Sequence, residues 1–162
     1  MRIGFGFDVH RLVPGRPLIL AGITLDHDYG LLGHSDADVV VHAVEDAILG
    51  ALALGDIGKL FPDTDPCYKD ASSMEMLKTV ISLMEKEGYS IGNVDITLAA
   101  EAPKIAPYIE DMRASLAAGL HTKVKNVSIK ATTTEEMGYE GRREGMSCYA
   151  VCLLKASKEV EG

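Results

Sequence analysis

The sequence is poor in features that define several whole classes of protein. Its 162 residues contain no tryptophan and only three cysteines, Cys67, Cys148 and Cys152, none of them in a C-x-x-C pair. An odd, scattered set of cysteines argues against a disulfide framework and favours a reducing cytoplasm. No apolar run approaches the roughly 18 to 20 residues that cross a bilayer, and no signal segment precedes the first strand. We therefore expect a cytoplasmic protein without a membrane partner.

Positive charge is also scarce. The 16 lysine and arginine residues are outnumbered by 24 aspartate and glutamate residues, which gives a formal net charge of -8. Nucleic-acid binding relies on clustered basic side chains, so this balance argues against a nucleic-acid partner. An acidic protein can still bind phosphate where a metal ion or backbone N–H groups supply local positive potential. The chain length predicts one domain over residues 1–162.

The hydrophobic pattern predicts a two-layer α/β (α+β) sandwich in which a mixed sheet packs on helices. Ser72 with Glu75 matches a capping box, and Gly55 suits the residue after a helix end. The second strand is expected to pair with the first as a hairpin, and the last is apolar on both faces, which is typical of a central strand. The predicted strands are 1–9, 18–25, 92–100, 126–131 and 145–154, and the predicted helices are 39–53, 72–87 and 108–118.

The first strand carries the clearest chemical signal. One face is apolar, and the other is small and then polar, holding Gly4, Gly6, Asp8 and His10. Because Asp8 and His10 are two residues apart, both side chains point the same way and can chelate a metal ion. One more histidine, His34 or His42, would complete a three-ligand site with an open position, as in catalytic zinc sites. The alternative is a pair of ordinary polar residues at a strand end, since short motifs arise by chance.

The following helix carries Asp38, His42 and Asp46 at intervals of four residues, which places them on one face. A carboxylate beside a metal-binding histidine often orients its ring, so we expect Asp38 and Asp46 to support His42. The alternative is a solvated acidic stripe. Asp46 sits mid-helix among apolar neighbours, however, and such a carboxylate usually has a specific partner.

Three further segments are candidates for binding. Hydroxyls and backbone N–H groups of Thr132–Glu135 follow a strand and can cradle phosphate oxygens, while Glu135 can bind a hard cation such as Mg²⁺. The alternative is a helix-capping turn with Thr132 or Thr133 as N-cap. The loops 56–65 and 100–106 offer Asp56 for sugar hydroxyls and Lys104 for phosphate, or else they are ordinary surface loops.

Taken together, five long motifs resemble the 2-C-methyl-D-erythritol 2,4-cyclodiphosphate synthase family of the non-mevalonate isoprenoid pathway. The resemblance covers essentially the whole chain, and the motifs occur in the family's order. They are GFGFDVH from Gly4, HSDADVVVHAVEDAILGA from His34, GDIGKLFPDTDP from Gly55, NVDITLAAEAPKI from Asn93 and KATTTEEMGYEGRREG from Lys130.

The resemblance implies roles for individual positions. Asp8, His10 and His42 would bind zinc or another divalent cation, and Glu135 would hold Mg²⁺ or Mn²⁺ with the diphosphate. His34 and Thr133 would stabilise the transition state. The positions implied to contact the substrate are Asp8, Val9, His10, His34, Ser35, Asp56, Ile57, Gly58, Phe61, Pro62, Asp63, Thr64, Asp65, Ala100, Glu101, Ala102, Pro103, Lys104, Ile105, Ala106, Thr132, Thr133, Thr134, Glu135, Tyr139 and Arg142.

The implied reaction converts 4-diphosphocytidyl-2-C-methyl-D-erythritol 2-phosphate into the cyclic diphosphate and CMP, in one catalytic domain. The resemblance also implies a homotrimer with threefold symmetry, active sites shared between subunits, and a central cavity able to hold an isoprenoid diphosphate. Phe7, Tyr139, Arg142 and Glu144 match that cavity, although Tyr139 stands where the family often has Phe and Arg143 where it often has Gly. A zinc-dependent phosphoesterase acting on a nucleotide-linked substrate is the alternative, and a non-catalytic binding module is a third reading.

Overall fold

The computed structural model describes residues 1–62 and 64–157. These residues form seven strands and five helices, with three short 3₁₀ turns. In chain order they are β1 (Arg2–Pro14), β2 (Leu18–Leu20), β3 (Ile23–Leu25), β4 (Tyr29–Leu32), α1 (Val39–Ala51), α2 (Ile57–Leu60), a 3₁₀ turn (Pro66–Tyr68), α3 (Ser73–Lys86), β5 (Tyr89–Ala99), a 3₁₀ turn (Ala106–Tyr108), α4 (Ile109–Gly119), a 3₁₀ turn (Val124–Asn126), β6 (Val127–Thr132), α5 (Gly138–Gly141) and β7 (Gly145–Ala156).

The main sheet has five strands in the order β4-β1-β7-β5-β6. The pair β5–β6 is parallel and the other pairs are antiparallel, so the sheet is mixed. Strand β7 lies at its centre, as its apolar character predicts. Helix α1 packs against β1 and β7, and helices α3 and α4 complete the same layer, so the core lies between helices and sheet. The predicted mixed sheet packed on helices is confirmed.

The prediction of one strand over Leu18–Leu25, paired with the first strand, is wrong. The segment forms the two short strands β2 and β3, which pair only with each other among the described residues. Between them the chain reverses at Ala21 and Gly22, with φ of 53° and 76°. Glycine tolerates that left-handed conformation, but alanine gives no sequence signal for it. Strand β1 instead pairs with β4 and β7, and it continues past its predicted end to Pro14.

The two faces of β1 are used in an unexpected way. Its glycine face lies against α1, where a Cβ at Gly4 or Gly6 would come within 1.9 Å of a helix carbonyl oxygen. Its apolar face is uncovered, with Ile3 73% and Phe5 62% exposed. Tyr149 and Val151 of β7 continue this exposed apolar surface. Close approach of the helix therefore selects glycine, and the large apolar side chains are left on the outer side of the sheet.

The helix ends show where local signals succeed and fail. Helix α1 ends at Ala51, and Ala53, not Gly55, takes the left-handed position beyond it with φ of 59°. Ser72 precedes α3 as predicted, but its side chain makes no capping hydrogen bond. Gly88, with φ of 78°, lies just beyond the end of α3, as predicted. The predicted stop at Gly119 is instead the last residue of α4.

The polar segment after β6, predicted to be a turn region, contains the short helix α5. Cys148 and Cys152 are buried in the core as predicted. None of the helices that the structure describes is long and apolar enough to cross a membrane.

Candidate functional site

Asp8, His10 and His42 form a compact cluster at the end of β1. Asp8 Oδ2 lies 2.9 Å from His10 Nε2 and 3.0 Å from His42 Nδ1. The two histidine nitrogens are 3.1 Å apart. One ligand atom from each residue therefore lies within 4.8 Å of the others, a spacing that a single metal ion can bridge. Of the two histidines left open by the sequence pattern, His42 is the one that joins Asp8 and His10.

The fold explains why these residues meet. Strand β1 alternates, so Asp8 and His10 follow Gly4 and Gly6 on the face that lies against α1. Helix α1 carries His42 in its first turn. Because both glycines let the helix lie directly on the strand, the end of that face comes against the start of the helix.

Each histidine makes a second contact on the side away from the cluster. His10 Nδ1 lies 2.8 Å from the carbonyl oxygen of Leu32, so this nitrogen donates its hydrogen and Nε2 faces the cluster. His42 Nε2 lies 2.9 Å from Ser73 Oγ and 3.2 Å from Ser35 Oγ. The nitrogens that face Asp8 are therefore the ones available to a metal ion.

The predicted support of His42 by Asp38 and Asp46 is not what the structure shows. Asp38 is the N-cap of α1, and its carboxylate also accepts hydrogen bonds from the backbone N–H groups of Ala21 and Gly22. Asp46 accepts from the backbone N–H of Ile57, at 2.8 Å. Within residues 1–62 and 64–157, neither carboxylate hydrogen-bonds to His42. Both carboxylates stabilise local backbone structure. The hydroxyls of Ser35 and Ser73 occupy the place beside His42 that the sequence predicts for these carboxylates.

The electrostatics of the cluster favour an ionised Asp8. Burial works against ionisation, but hydrogen bonds from His10 and His42 outweigh it and lower the pKa of Asp8 from 3.8 to about 2. Burial disfavours the charged form of His10, yet its hydrogen bond and attraction to Asp8 raise its pKa overall. The cluster thus presents an ionised carboxylate beside two histidine rings, and a divalent cation bound there would replace the hydrogens that otherwise link the rings to Asp8. A carboxylate with two histidine nitrogens is a donor set that zinc-like cations bind.

A cavity of about 230 Å³ opens over this cluster. The predicted substrate-contact residues that line it, besides the cluster itself, are His34, Ser35, Ile57, Gly58 and Phe61. Sequence reasoning missed Tyr68 and Met76, which line it as well. Tyr68 packs edge-on against Phe61, with ring centroids 5.2 Å apart. An aromatic pair within a loop was the signal that could have drawn attention to Tyr68.

The loop that follows α2 contributes only part of its predicted contact residues to the cavity of its own chain. Asp56 caps α2 by accepting the backbone N–H of Lys59, and the carbonyl oxygen of Asp65 lies 3.2 Å from His34 Nε2. Pro62 and Thr64 belong to this loop but do not line the cavity. The predicted contact residue Asp63 lies outside the described residues.

The remaining predicted binding segments lie at the same end of the sheet but on other strands. The register aligns Val9, Ser147, Ala99 and Thr132 across four adjacent strands. Three strand spacings of about 4.8 Å put Thr132 roughly 14 Å from Val9. The segments 100–106 and 132–135 do not line the cavity of their own chain.

These two segments form a second group. Ala100 donates its backbone N–H to the carbonyl oxygen of Thr132, and the Glu101 carboxylate accepts the backbone N–H of Thr134. Thr133 Oγ1 donates to Glu135 Oε1, at 3.2 Å. The other members of segment 100–106 are Ala102, Pro103, Lys104, Ile105 and Ala106, of which Ile105 is buried. The alternative of a helix cap at Thr132 or Thr133 is wrong, because α5 begins later, with Met137 at its N-cap.

The residues that the resemblance assigns to a central cavity of the trimer line two separate pockets in one chain. Phe7, Tyr139 and Glu144 line one open pocket, and Arg142 lines another. The Tyr139 hydroxyl hydrogen-bonds to Ser147, and Arg142 pairs with Glu144 at 3.0 Å. Arg143 has φ of 59°, a left-handed conformation that glycine adopts more readily than arginine.

Comparison with known proteins gives consistent matches over nearly the whole chain. The model of the YgbB family matches residues 1–155. The chain is 61% identical over 156 residues to a 2-C-methyl-D-erythritol 2,4-cyclodiphosphate synthase of Desulfitobacterium hafniense, covering 96% of this chain and 99% of that protein. It is 58% identical over 154 residues to the enzyme of the same name from Finegoldia magna, covering 95% and 97% of the two chains.

Solved structures agree with these matches. The CDP complex of IspF from Plasmodium falciparum superposes with a TM-score of 0.86 at 33% identity, covering 97% of both chains. The bifunctional IspDF from Campylobacter jejuni gives a TM-score of 0.92 at 43% identity over 96% of this chain. The present chain spans 42% of that longer protein.

Proposed function

Because the chain belongs to the YgbB family, we propose that it is a 2-C-methyl-D-erythritol 2,4-cyclodiphosphate synthase, a phosphorus–oxygen lyase of isoprenoid precursor synthesis. Its substrate would be 4-diphosphocytidyl-2-C-methyl-D-erythritol 2-phosphate. An oxygen of the 2-phosphate attacks the β-phosphorus, the bond from that phosphorus to CMP breaks, and the cyclic diphosphate and CMP are released. The observation that carries this proposal is the convergence of Asp8, His10 and His42 beneath an open cavity.

The cluster fits a zinc ion or a similar divalent cation. It offers one carboxylate oxygen and two nitrogens whose outer partners leave them facing inward, and none of the three described cysteines belongs to it. Three protein ligands with an accessible cavity are the arrangement of a catalytic rather than a structural site. The chemistry that a cation supplies there is neutralisation of diphosphate charge during attack of one anion on another.

The chain's own residues would bind and fold the substrate. His34 and Thr133 would stabilise charge on the reacting phosphates, and Asp56 and Gly58 would hold the sugar and polyol hydroxyls. The segment 100–106 would enclose the cytosine, and Glu135 would hold Mg²⁺ or Mn²⁺ with the diphosphate. A flexible polyol rarely places its 2-phosphate in line with the β-phosphorus in solution. Binding that holds it in this geometry would therefore speed the attack.

We also propose that neighbouring copies complete each site in a homotrimer. In one chain, β7 and β5 lie between the cluster of Asp8, His10 and His42 and the 132–135 segment, which puts the two groups about 14 Å apart. The uncovered apolar face of β1 and β7, including Ile3, Phe5 and Val151, is the kind of surface that a second copy covers. A closed ring of three copies would use such a surface and juxtapose both groups across an interface. A cytoplasmic location and an isoprenoid diphosphate near Phe7 and Tyr139 remain predictions.

The function is tested by following phosphorus. Purified protein is incubated with the phosphorylated CDP-polyol, with and without a chelator, and ³¹P NMR and chromatography identify the products. We expect cyclic diphosphate and CMP in equal amounts, lost with chelator and restored by zinc with Mg²⁺. Linear hydrolysed fragments would instead favour the phosphoesterase, and binding without turnover would favour a binding module.

A further inference from the structure

The Ser73 hydroxyl is fully buried between a carboxylate and a candidate metal ligand. Ser73 is the first residue of α3, and its side chain lies between Asp36, in the loop before α1, and His42. Its hydroxyl donates to Asp36 Oδ1, and its backbone N–H donates to Asp36 Oδ2, at 3.0 Å. On its other side the same hydroxyl oxygen is 2.9 Å from His42 Nε2. Asp36 therefore binds both donors of Ser73, and it does so from 37 residues away along the chain.

The direction of each hydrogen bond follows from counting hydrogens. A serine hydroxyl has one hydrogen, and an ionised carboxylate can only accept. Since the hydrogen of Ser73 goes to Asp36, the hydroxyl can only accept from His42. His42 Nε2 must then carry a hydrogen, which leaves the lone pair of the neutral ring on Nδ1. That atom is the one that faces Asp8 and His10, at 3.0 and 3.1 Å.

We propose that Asp36 and Ser73 are positioning residues which, acting through one hydroxyl, hold His42 in the tautomer and ring orientation that bind the metal ion. The proposal rests on the proposed metal site. Neither residue touches the cavity over the cluster. The relay also joins the metal ligand to the first turn of α3, so the docking of that helix sets the ring.

The tautomers of the two histidine ligands are fixed by different kinds of acceptor. His10 donates Nδ1–H to the backbone carbonyl of Leu32, which is an acceptor whatever the side chains are. His42 depends on side chains, because an isolated hydroxyl can rotate and either donate or accept. The carboxylate of Asp36 removes that ambiguity. Ser35, at 3.2 Å, makes a longer contact with His42 than Ser73 does at 2.9 Å, and its hydroxyl oxygen also accepts the backbone N–H of Ala37.

The test compares two adjacent serines. Ser73→Ala removes the acceptor of His42, whereas Ser72→Ala removes a side chain that makes no capping hydrogen bond. Zinc affinity is measured by competition with a chromophoric chelator. We expect Ser73→Ala to weaken zinc binding about 10- to 100-fold and Ser72→Ala to leave it unchanged. Wild-type affinity in Ser73→Ala would overturn the proposal.

Two further measurements separate positioning from folding. A purely structural role would lower the stability of metal-free and zinc-loaded protein equally, whereas a positioning role shrinks the stabilisation that zinc adds. In ¹⁵N NMR of the zinc-loaded protein, the Nε2–H of His42 should exchange slowly with solvent and become fast in Ser73→Ala. A slow Nε2–H in the variant contradicts the relay.

Asp36→Asn is the second variant and serves if Ser73→Ala does not fold. It keeps the shape but removes the charge and one acceptor, so we expect several-fold weaker zinc binding and a faster-exchanging Nε2–H. Wild-type values for both would count against the relay. His42→Ala separates this from the proposed function: if it binds zinc as the wild type does, the metal site itself is wrong.

Discussion

A side chain at Gly6 would meet the carbonyl oxygen of Ala43 at 1.9 Å. Gly4 has the same relationship with Ala47, at 1.8 Å. The backbone of β1 therefore lies in direct contact with α1 over one helical turn, without intervening side chains. Where the glycines give way to Asp8 and His10, the same contact brings these side chains against His42. Because Gly4 and Gly6 have no side chains, α1 lies close enough to β1 for His42 to reach Asp8 and His10.

Gly6→Ala should destabilise the protein strongly, because the carbonyl it meets belongs to a helix backbone that cannot rotate away. We expect the free energy of unfolding in urea to fall by about 3 kcal/mol. Gly50→Ala is the control, since its nearest non-local atom is 3.9 Å away. That change lies inside α1 and should stabilise by roughly 0.5 to 1 kcal/mol. A Gly6→Ala protein as stable as the wild type would disprove the close contact.

His42→Ala should abolish tight zinc binding and lower turnover by roughly 1000-fold, because two remaining ligands hold zinc poorly. Metal content after dialysis and CMP release measure the two effects. His121→Ala is the matched control, since this exposed histidine pairs with Glu85, far from the cluster along the chain. Full turnover in metal-free His42→Ala would end the zinc assignment.

Glu135→Ala should retain zinc but lose its dependence on Mg²⁺, together with most of the rate, by roughly 100-fold. The reason is that Glu135 would hold the second cation beside the diphosphate, at a distance from the zinc cluster. Titration of the rate with Mg²⁺ at fixed zinc measures this. Glu136→Ala, at the next position, is the control. An unchanged Mg²⁺ titration in Glu135→Ala rules out that role.

Glu45 should make the protein less stable as pH rises. It is fully buried in α1, and neither carboxylate oxygen has a hydrogen-bond partner among the described residues. Burial, reinforced by the charges of Asp38, Asp46, Asp36 and Asp8, raises its pKa well above 4.5. A raised folded-state pKa means that stability from this group is complete below the unfolded value of 4.5 and is lost as pH rises through the folded value.

Glu45→Gln tests this, because the amide resembles the protonated acid at every pH. We expect equal urea stability of the two proteins at about pH 4.5, and a growing advantage for the variant, of about 1 to 3 kcal/mol, at alkaline pH. Glu87→Gln, at the exposed end of α3, is the control for the substitution itself. A constant difference between Glu45→Gln and the wild type would show that Glu45 does not titrate in this way.

Ala53→Gly should stabilise the protein by roughly 0.5 to 1 kcal/mol, because Ala53 occupies a left-handed conformation. The hydrogen bonds from Ala53 N to Gly50 and from Leu54 N to Leu49 complete the helix end around it. Ala114→Gly, at an exposed position of α4, should destabilise by about 1 kcal/mol instead. Thermal unfolding of the two variants should shift in opposite directions.

Local alternation was sufficient to predict much of the site. The spacing of two between Asp8 and His10 fixes their common face, and the mixed sheet follows from the order of strands and helices. The third ligand could not be chosen from spacing, because both His34 and His42 lie near the same helix start. The choice depends on how α1 docks, and His34 instead lies beside the carbonyl oxygen of Asp65.

Tertiary contacts replaced local ones where the sequence failed. Ser72 and Glu75 form a capping-box pattern, yet the Ser73 backbone N–H in the first turn of α3 donates to Asp36, far earlier in the chain. Asp38 lies one helical turn from His42, a spacing that predicts a contact between them, but its carboxylate accepts from backbone N–H groups of α1 and of Ala21 and Gly22 instead. Neither contact has a signature in residues that are adjacent in sequence.

The ligands of the cluster are far apart along the chain, since His42 follows His10 by 32 positions and Asp8 by 34 positions. An emerging polypeptide thus has only a carboxylate and one imidazole to offer until α1 has left the ribosome and docked on β1. The complete set of three ligands for a cation therefore forms only after that step.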